Sequence, residues 1–459
     1  MNPTPQTPTL MKKSLYQTQN LRRKIEELAA SGELRSILDQ AVELHPSDLA
    51  DLIESLDEQY RVEILCMLPT ILASETLSEM DEGEGRAELL AALPAEKGAE
   101  FLKELADDDA TDLIGELGPE DQRRVLAALP VDEAGDIESL LSYGEETAGG
   151  LMTTELVEVE GSLQADEAIR QVRMQGRDVE DFYTVFVIDQ KRRLLGTMRL
   201  DDLVVADPTA SIEGLVEEPS VTVSPDVDQE EVGRLLGRYN LAAIPVVTDE
   251  GVLLGRITFD DVIDVIESEL TEDILMLAGV PDEDELRHNW IESVRTRLPW
   301  LILNLATAAI AASVILVFKD LIEKELTLAF IAPIIAALGG SSGTQSLAVT
   351  IRRITVQGSG SARGFVAKEI LVGLVNGAVL GSGVALLAFL IDGNIMLGLV
   401  VLLAMWGNQI VAGFAGAFIP TTLDRAGVDP SIASSVFVHT LTDLLGFFLL
   451  LWLASHLLL

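Results

Sequence analysis

Five long apolar stretches near the end of the chain constrain its fold more than any other feature of the sequence. A helix needs about 20 apolar residues to cross the hydrocarbon core of a bilayer, and a backbone in lipid must satisfy its own hydrogen bonds. The stretches cover residues 298–318, 326–351, 370–391, 395–423 and 431–459. The sequence therefore predicts a five-helix transmembrane domain over 297–459.

Charge is distributed unevenly between this region and the rest of the chain. The formal net charge is -42, yet the part from Leu298 onward holds only 7 basic and 8 acidic residues. The remaining 25 basic and 66 acidic residues precede it, so residues 1–297 carry a net charge of -41. A field of this sign repels phosphates, which excludes nucleic acid as a partner and favours multivalent cations.

The basic residues beside the spans predict the orientation in the membrane. One side of the predicted bundle carries most of them: Arg295, Arg297, Arg352, Arg353, Arg363 and Lys368. On the other side, Lys319 and Lys324 are offset by neighbouring acids. Basic loops stay in the cytoplasm, and the first residues lack the apolar core of a secretory signal. We therefore expect a cytoplasmic N-terminus and, after five crossings, an extracytoplasmic C-terminus.

Asp443 is the one acidic residue inside the five predicted spans. A charge at the centre of a bilayer costs about 3 kcal/mol or more, and such residues usually face water or a partner. Ser435 and His439 precede Asp443 by eight and four residues, so all three share one face of a helix. Two interpretations of His439 stay open, a packing residue or a residue that lines an ion pathway.

The second span is unusual because Pro333 is followed by the sequence GGSSGTQ over residues 339–345. Gly339, Gly340, Ser341 and Gly343 are candidate pathway residues. One interpretation is a loosened helix whose backbone carbonyls meet an ion in an aqueous cavity. The other is close packing of helices through small residues.

The acidic region divides into three parts. Residues 1–140 show short helical patterns separated by Leu-Pro and Gly-Pro turns, typical of stacked helical hairpins. Cys66, the only cysteine, lies in one of these patterns and is predicted to be buried. Residues 141–266 contain a duplicated unit, and residues 267–296 form an acidic connecting helix that leads to the membrane.

The duplicated unit has the order strand, turn, strand, helix. TVFVID and LGTMRLDDL, from Thr184 to Leu203, recur 59 residues later as AIPVVT and LGRITFDDV, from Ala243 to Val262. This repeat resembles a tandem pair of CBS domains, regulatory α/β modules that often bind adenine nucleotides. The resemblance implies that ATP or another adenine nucleotide binds to the pair.

Taken in order, these parts resemble the MgtE family of magnesium channels. The resemblance implies a homodimer in the inner membrane of a bacterium, with a pore between the second and fifth spans. It implies that the connecting helix acts as a plug that closes the pore when cytoplasmic magnesium is abundant. Asp443 matches the pore aspartate, Ser435 and His439 match pore-mouth positions, and the glycine-rich stretch matches the family motif.

The resemblance also implies regulatory magnesium sites. The matching carboxylates are Asp108, Asp112, Asp228, Glu230, Asp261, Asp264, Glu269, Glu272 and Asp273. Four positions depart from the family pattern: Ser341 replaces Asn, Ser435-Val436 replaces Gly-Pro or Asn-Pro, His439 replaces a small residue or Thr, and Asn240 replaces an Asp of some members.

The predicted function is a magnesium-selective channel that moves Mg²⁺ into the cytoplasm and closes when the acidic domains bind Mg²⁺. Two alternatives remain open. One is a proton- or sodium-coupled transporter of Mg²⁺ or Co²⁺ that uses His439 as a proton relay. The other is a CBS nucleotide sensor that transports nothing. An enzyme is not expected, because the sequence has neither a nucleophile–base constellation nor a phosphate-binding glycine loop with a Lys.

Overall fold

The structure is a computed structural model that describes residues 42, 44–81, 85–177, 179, 182–280, 290–357, 362–431 and 434–458. The chain divides into two compact units, Met1–Ile266 and Glu267–Leu459. Parts of the predicted helical domain (1–41, 82–84) and of the predicted connecting helix (281–289) lie outside the described residues.

The first unit begins with a series of short helices that confirms the predicted helical region. They are α1 (Pro46–Glu54), α2 (Glu58–Met67), α3 (Thr70–Ser78), α4 (Arg86–Ala92), α5 (Ala95–Leu102), α6 (Asp107–Gly115), α7 (Pro119–Leu126) and α8 (Val131–Leu140). Their starts follow the sequence rules: α7 has Pro119 in its first turn, followed by two acids that complement the helix dipole. Leu49, Leu65, Phe101 and Ile114 are among the residues of one continuous core.

Cys66 does not lie in that core, so its predicted burial is wrong. The thiol is exposed, because α2 directs Ile64, Leu65 and the following Leu68 inward. Cys66 lies about 200° around the helix from Ile64, which places it on the opposite face.

The duplicated unit is present with the predicted order of elements. The first copy contains β1 (Glu158–Glu160), α9 (Ala165–Gln175), β2 (Thr184–Ile188), β3 (Leu194–Arg199) and α10 (Leu200–Val205), and the second contains α11 (Gln229–Tyr239), β4 (Ala243–Val247), β5 (Leu253–Thr258) and α12 (Phe259–Leu277). β2 and β3 are antiparallel, as are β4 and β5, and β1 runs parallel to β2. The register shifts between Val187 and Ile188 and again 59 residues later, between Val246 and Val247. The same irregularity at the same place shows that the copies share one local fold.

The second unit contains long helices, and five of those in the described residues are apolar enough to cross a membrane. The helices are α13 (Trp290–Val317), the short α14 (Lys319–Lys324), α15 (Leu326–Gln357), α16 (Ala362–Asp392), α17 (Ile395–Arg425) and α18 (Ser434–Leu457). Their apolar segments are Ser293–Val317, Leu326–Thr355, Gly364–Asp392, Ile395–Arg425 and Ser435–Leu457. Five predicted spans are thus confirmed. α17 lies at the centre, and residues such as Val401 and Met405 are fully buried against its neighbours.

The second span is one continuous helix, so the expectation of a broken backbone is wrong. α15 runs through Pro333 and through the glycine-rich stretch without interruption. Gly343 serves close packing. At Gly416 of α17, an added Cβ would lie only 2.6 Å from the carbonyl oxygen of Gly343 in α15, which is the close backbone approach that glycine allows between membrane helices.

Candidate functional site

A cavity of about 620 Å³ lies beside helices α15 and α18. Its lining is a short set of small and polar residues: Ala336, Ala337, Gly340, Ser341, Thr344, Gln345, Ala348, His439 and Asp443. The two helices that the sequence analysis selected therefore meet at one polar cavity at membrane depth. Asp443 supplies its carboxylate, and the alanines and Gly340 leave room for water or a hydrated ion.

His439 lies one helical turn before Asp443 and also faces the cavity. Its Nδ1 is 2.8 Å from the Ser435 carbonyl oxygen, which can only accept a hydrogen bond, so Nδ1 carries a proton. In the neutral ring, Nε2 is then an acceptor, and it lies close to Gly340 across the helix contact. Ser435 contributes this carbonyl but does not line the cavity.

The neighbouring threonine hydroxyls bind within their own helix. Thr440 donates to the Val436 carbonyl at 2.7 Å, and Thr442 donates to that of Val438 at 3.0 Å. In lipid such bonds satisfy the hydroxyls without a second helix. Neither threonine lines the cavity.

Two of the four candidate residues in α15 do not line the cavity. Gly340 and Ser341 do, whereas Gly339 and Gly343 face the packed side of the helix. A Cβ on Gly339 would meet Asn408 of α17, and one on Gly343 would meet Val438 of α18. Consecutive helical residues point about 100° apart, so one glycine-rich segment serves both the cavity and the packing.

Sequence reasoning missed other residues of the site. Thr344, Gln345 and Ala348 continue the cavity face of Gly340 and Ser341 at helical spacing. Outside the cavity lining, Glu369 near the start of α16 is only 6% exposed and lies 3.5 Å from the Lys368 ammonium. The predicted span began at residue 370 and so excluded this buried carboxylate.

In the first unit, carboxylates of α6 and of the start of α12 form an acidic cluster, defined as Asp108, Asp109, Asp260 and Asp261. Burial and the charge of Asp261 raise the pKa of Asp108 well above its ordinary value. The same two causes raise the pKa of Asp109 from 3.8 to about 6, against the opposing charge of Arg86. Burial also raises the pKa of Asp261, whose carboxylate accepts a 2.6 Å hydrogen bond from Thr258.

These raised pKa values mean that the ionised form of the acidic cluster is energetically unfavourable in the folded chain. A divalent cation among the carboxylates would offset that cost, and one or two carboxylates plus water suffice for magnesium. The residue types of the cluster therefore fit Mg²⁺. Within the residues that the structure describes, no group of three or more His, Cys, Asp or Glu side chains is arranged to hold a metal ion.

Asp107, which the sequence analysis did not single out, joins the helical part to the duplicated part of the first unit. Its carboxylate accepts a hydrogen bond from the Thr153 hydroxyl at 2.5 Å and others from the hydroxyl and the backbone N–H of Thr154. The only hint in the sequence is the run of three aspartates at 107–109. Asp107 thus fixes the start of α6, and with it the acidic cluster, against the CBS pair.

The other predicted regulatory residues are distributed over several elements. Asp112 is exposed on α6. Asp228 begins α11, where its carboxylate accepts a hydrogen bond from the Glu230 N–H at 3.0 Å, and both side chains are exposed. Asp264, Glu269 and Glu272 follow one another along α12, and Asp264 is exposed while the other two are partly buried. The structure does not bring all of these residues into one site.

In the second unit, Asp273 lies on α12 near the segment between α17 and α18. Burial raises its pKa, as does the charge of Asp429, while Arg352 at the end of α15 opposes the shift. Three residues further along α12, the Met276 sulfur lies 3.1 Å from the Ser431 hydroxyl oxygen, whose proton is donated to the Asp429 carboxylate at 2.7 Å. The end of α12 therefore lies against the segment between α17 and α18.

A second cavity, of about 760 Å³, lies between the two CBS copies. Its lining includes Tyr183 and Met198 from one copy and Asn240 and Pro245 from the other. This size suits a small organic ligand. Among the described residues that line it, Arg199 is the only cation and forms an ion pair with Asp201, while Glu217 and Glu218 add further negative charge.

Comparisons with known proteins agree with this architecture. Family descriptions match three parts of the chain: "MgtE intracellular N domain" over 44–146, "CBS domain" over 212–268 and "Divalent cation transporter" over 332–453. The magnesium transporter MgtE of Thermus thermophilus is 34% identical over 457 residues, which cover 96% of this chain and 99% of that protein. The chain belongs to the MgtE family.

Other MgtE proteins are similarly related. The magnesium transporter MgtE of Enterococcus faecalis is 37% identical over 68% of this chain and 69% of its own. A solved cytosolic domain of the Mg²⁺ channel MgtE in complex with ATP is 36% identical, with a TM-score of 0.50 over 53% of this chain and 99% of that one. The soluble part of a magnesium transporter is 30% identical, also with a TM-score of 0.50.

Membership of the MgtE family makes this chain a magnesium transporter or channel, a class of protein that is not enzymatic in the usual sense. Together with the five apolar helices, it identifies a multi-pass membrane protein.

Proposed function

We propose that this MgtE protein is a magnesium-selective channel whose pathway passes Asp443. One observation carries this proposal: the carboxylate of Asp443 faces a cavity at membrane depth whose other described lining residues include no Asp, Glu, Lys or Arg. A buried charge of this kind is expensive in lipid, so its place is beside a path for a cation. The membrane potential, negative inside, would drive a divalent cation into the cytoplasm.

Magnesium keeps its water ligands and binds few carboxylates directly. Asp443 and the Nε2 acceptor of His439 suit such a cation because they can accept hydrogen bonds from its bound water. Contact through water favours an ion with a regular hydration shell, which is the basis of the proposed selectivity for magnesium over calcium.

The test is magnesium flux into liposomes that contain the full chain, at fixed voltage. Asp443→Asn removes the charge at nearly constant size and should reduce flux at least tenfold, whereas Asp392→Asn, at the end of α16 and outside the cavity, should leave it unchanged. Wild-type flux in a well-inserted Asp443→Asn protein would contradict the proposal. Dependence of flux on a proton or sodium gradient at fixed voltage would favour a coupled transporter instead.

We propose that Mg²⁺ also closes the channel from the cytoplasmic side. The support is the repulsion within the acidic cluster and between Asp273 and Asp429, both of which a cation would reduce. Without bound cations these contacts are weakened and the open arrangement is favoured. Closure by Mg²⁺ is then a population shift that requires only tighter binding to the closed state. The cytoplasmic side is assigned from the basic loops that flank the spans.

We propose further that the channel is a homodimer. Ser341, Gln345 and His439 line the cavity yet are exposed on the surface of the chain. Polar groups at membrane depth should not face lipid tails, and a second copy would cover them. Gln345→Cys, in a chain with Cys66→Ser, should form a cross-linked dimer in membranes, whereas cysteine at exposed Leu390 of α16 should not. Equal cross-linking at both positions would contradict this arrangement.

We infer that the cavity between the CBS copies binds an adenine nucleotide, as the ATP complex of the related cytosolic domain suggests. Because Glu217 and Glu218 line the cavity, a free triphosphate would meet negative charge. We therefore expect ATP to bind more tightly as its magnesium complex. Calorimetry with and without Mg²⁺ measures this difference, and equal affinities would contradict it.

A further inference from the structure

Asn408 lies in the middle of α17, between the two helices that carry the cavity, and is fully buried. Its Nδ2 donates a 3.0 Å hydrogen bond to the carbonyl oxygen of Ile335 in α15. On its other side is Gly446 of α18, where an added Cβ would lie 2.8 Å from the Asn408 Nδ2 and 3.3 Å from its Oδ1. One side chain of α17 thus contacts both α15 and α18.

The same amide group also fills the space above Gly339. A Cβ on Gly339 would lie 2.2 Å from the Asn408 Nδ2, which is far inside any allowed contact. Gly339 directly precedes Gly340, which lines the cavity, and Gly446 follows Asp443 by three residues, almost one turn of α18. Together with the direct contacts of Gly340 with His439 and of Gly343 with Val438, the Asn408 amide therefore limits how closely the backbones of α15 and α18 approach next to the cavity.

Packing stability alone does not favour an amide at this position. The Asn408 Oδ1 is buried and has no hydrogen-bond partner among the described residues. A buried acceptor without a partner destabilises a fold, whereas leucine, of similar size, brings no such cost. The Nδ2 donor, in contrast, binds the Ile335 carbonyl and so fixes the plane and the reach of the side chain. What the amide adds over leucine is a defined orientation between the two helices.

We propose that Asn408 is a positioning residue for the ion pathway, holding α15 and α18 at the separation that presents Asp443 to a hydrated cation. This inference rests on the proposed conduction of magnesium along the cavity. An ion held through its water shell is sensitive to small changes in the distance between the groups that face it, as reacting groups are in enzymes. Asn408 does not touch the cavity itself and acts through the helices that line it.

Neighbouring Gln409 offers a matched control. It is also fully buried, and its Nε2 donates to the Leu338 carbonyl of α15 at 3.0 Å. Its Cβ, however, packs against Gly377 of α16, and its side chain leaves α17 about 100° around the helix from that of Asn408. Gln409→Met therefore removes an amide bond of the same kind to the same helix without changing the contact that we assign to Asn408.

The first measurement is magnesium and cobalt flux into liposomes by the full chain. We expect Asn408→Leu to raise the half-saturating Mg²⁺ concentration by roughly tenfold and to lower the preference for Mg²⁺ over Co²⁺. Gln409→Met should leave both values within about twofold of wild type. A merely structural role would reduce the amount of folded protein but would leave the half-saturating concentration and the ion preference of the remainder unchanged.

The second measurement is a double-mutant cycle on thermal stability, which does not depend on transport. Gly339→Ala should lower the unfolding midpoint because its Cβ collides with the Asn408 amide. In an Asn408→Ala chain the same change should lower the unfolding midpoint much less. Additive effects would show that the two residues do not meet and would overturn the proposal.

The outcomes separate this inference from the proposed function. If wild type conducts magnesium and Asn408→Leu keeps the wild-type half-saturating concentration and ion preference, the positioning role is wrong while the channel stands. If wild type conducts no magnesium, the proposed function is wrong. The role of Asn408 in conduction is then wrong as well, even if the double-mutant cycle shows that Gly339 and Asn408 are in contact.

Discussion

At the scale of single residues, Gly340 determines how much room the cavity has beside His439. A Cβ at this position would lie 3.0 Å from the His439 Cδ2, which is tighter than ordinary packing. Gly340→Ala should therefore displace the imidazole into the cavity and lower magnesium flux by roughly threefold or more. Alanine favours helix over glycine, so a loss of flux could not be assigned to a weaker α15.

Gly383 supplies the control for this prediction. It is also a helical glycine, in α16, but a Cβ there would meet nothing within 4 Å. Gly383→Ala should keep wild-type flux in the same liposome assay. Equal flux by the two alanine variants would show that the space next to His439 does not limit conduction.

Much of the cavity could be predicted from residue types, and the remainder depended on the course of the backbone. Asp443 stood out because it is a charge in an apolar span, and His439 because it lies one turn away. Thr344 and Gln345 were missed because the glycines suggested a broken helix, whereas continuous helical spacing from Gly340 leads directly to Thr344. The contact between Gly339 and Asn408 has no counterpart in the sequence pattern, since it arises only when α15 packs against α17.

At the scale of elements, Asp107 links α6 to the segment that leads into the CBS pair. Asp107→Ala removes the acceptor for buried Thr153 and half-buried Thr154 and leaves their donors without it. The expected cost is about 1–3 kcal/mol in the free energy of unfolding of the first unit. Thermal unfolding of the full chain measures this loss. Asp107→Asn keeps one carbonyl oxygen as an acceptor and should lose less.

A matched control for Asp107 is Asp132, which occupies the first turn of α8 and is exposed. Both acids interact favourably with a helix N-terminus, an effect worth about 0.3–1 kcal/mol. Asp132→Ala should therefore cost no more than this smaller amount. A cost equal to that of Asp107→Ala would mean that the bonds to Thr153 and Thr154 contribute nothing beyond the helix dipole.

The helices and strands could be predicted because hydrophobic periodicity and proline-containing turns are local properties of the sequence. The residues at which they end were harder to predict. The second apolar stretch ends in the sequence at Ile351, whereas α15 continues through Arg352 and Arg353 to Gln357. Long basic side chains can extend to the membrane surface while their backbone remains helical. The Arg353 guanidinium illustrates this behaviour, since it lies 4.6 Å from the centre of the Phe365 ring.

At the scale of the whole molecule, the excess of acid links magnesium binding to pH. The pKa of Asp109 is raised to about 6 by burial and by Asp261, with Asp260 and Glu79 adding to the shift and Arg86 opposing it. A raised carboxyl pKa means that the folded arrangement favours the protonated form. Protonation of Asp109 therefore stabilises the folded arrangement fully below the ordinary carboxyl pKa of 3.8. This stabilisation is lost as the pH rises through 6. Under the proposed closure by magnesium, the cation would replace the proton above that range and reduce the repulsion between α6 and α12.

Protons and magnesium should therefore compete for the acidic cluster. Between about pH 5.5 and pH 7.5 the ionised fraction of Asp109 rises roughly fourfold. If Mg²⁺ binding closes the molecule, it should also protect the chain from proteolysis, and half-maximal protection should need about fourfold less Mg²⁺ at the higher pH. Titration of the full chain with Mg²⁺ at each pH, followed by limited proteolysis, gives the half-maximal Mg²⁺ concentration at that pH. The comparison of these two concentrations does not require the protease to be equally active at both pH values. Asp109→Asn should reduce the difference, and the raised pKa values of Asp108 and Asp261 should account for what remains. If wild type needs the same Mg²⁺ concentration at both pH values, cation binding at this cluster is not what closes the molecule, and the repulsion between α6 and α12 has no part in its gating.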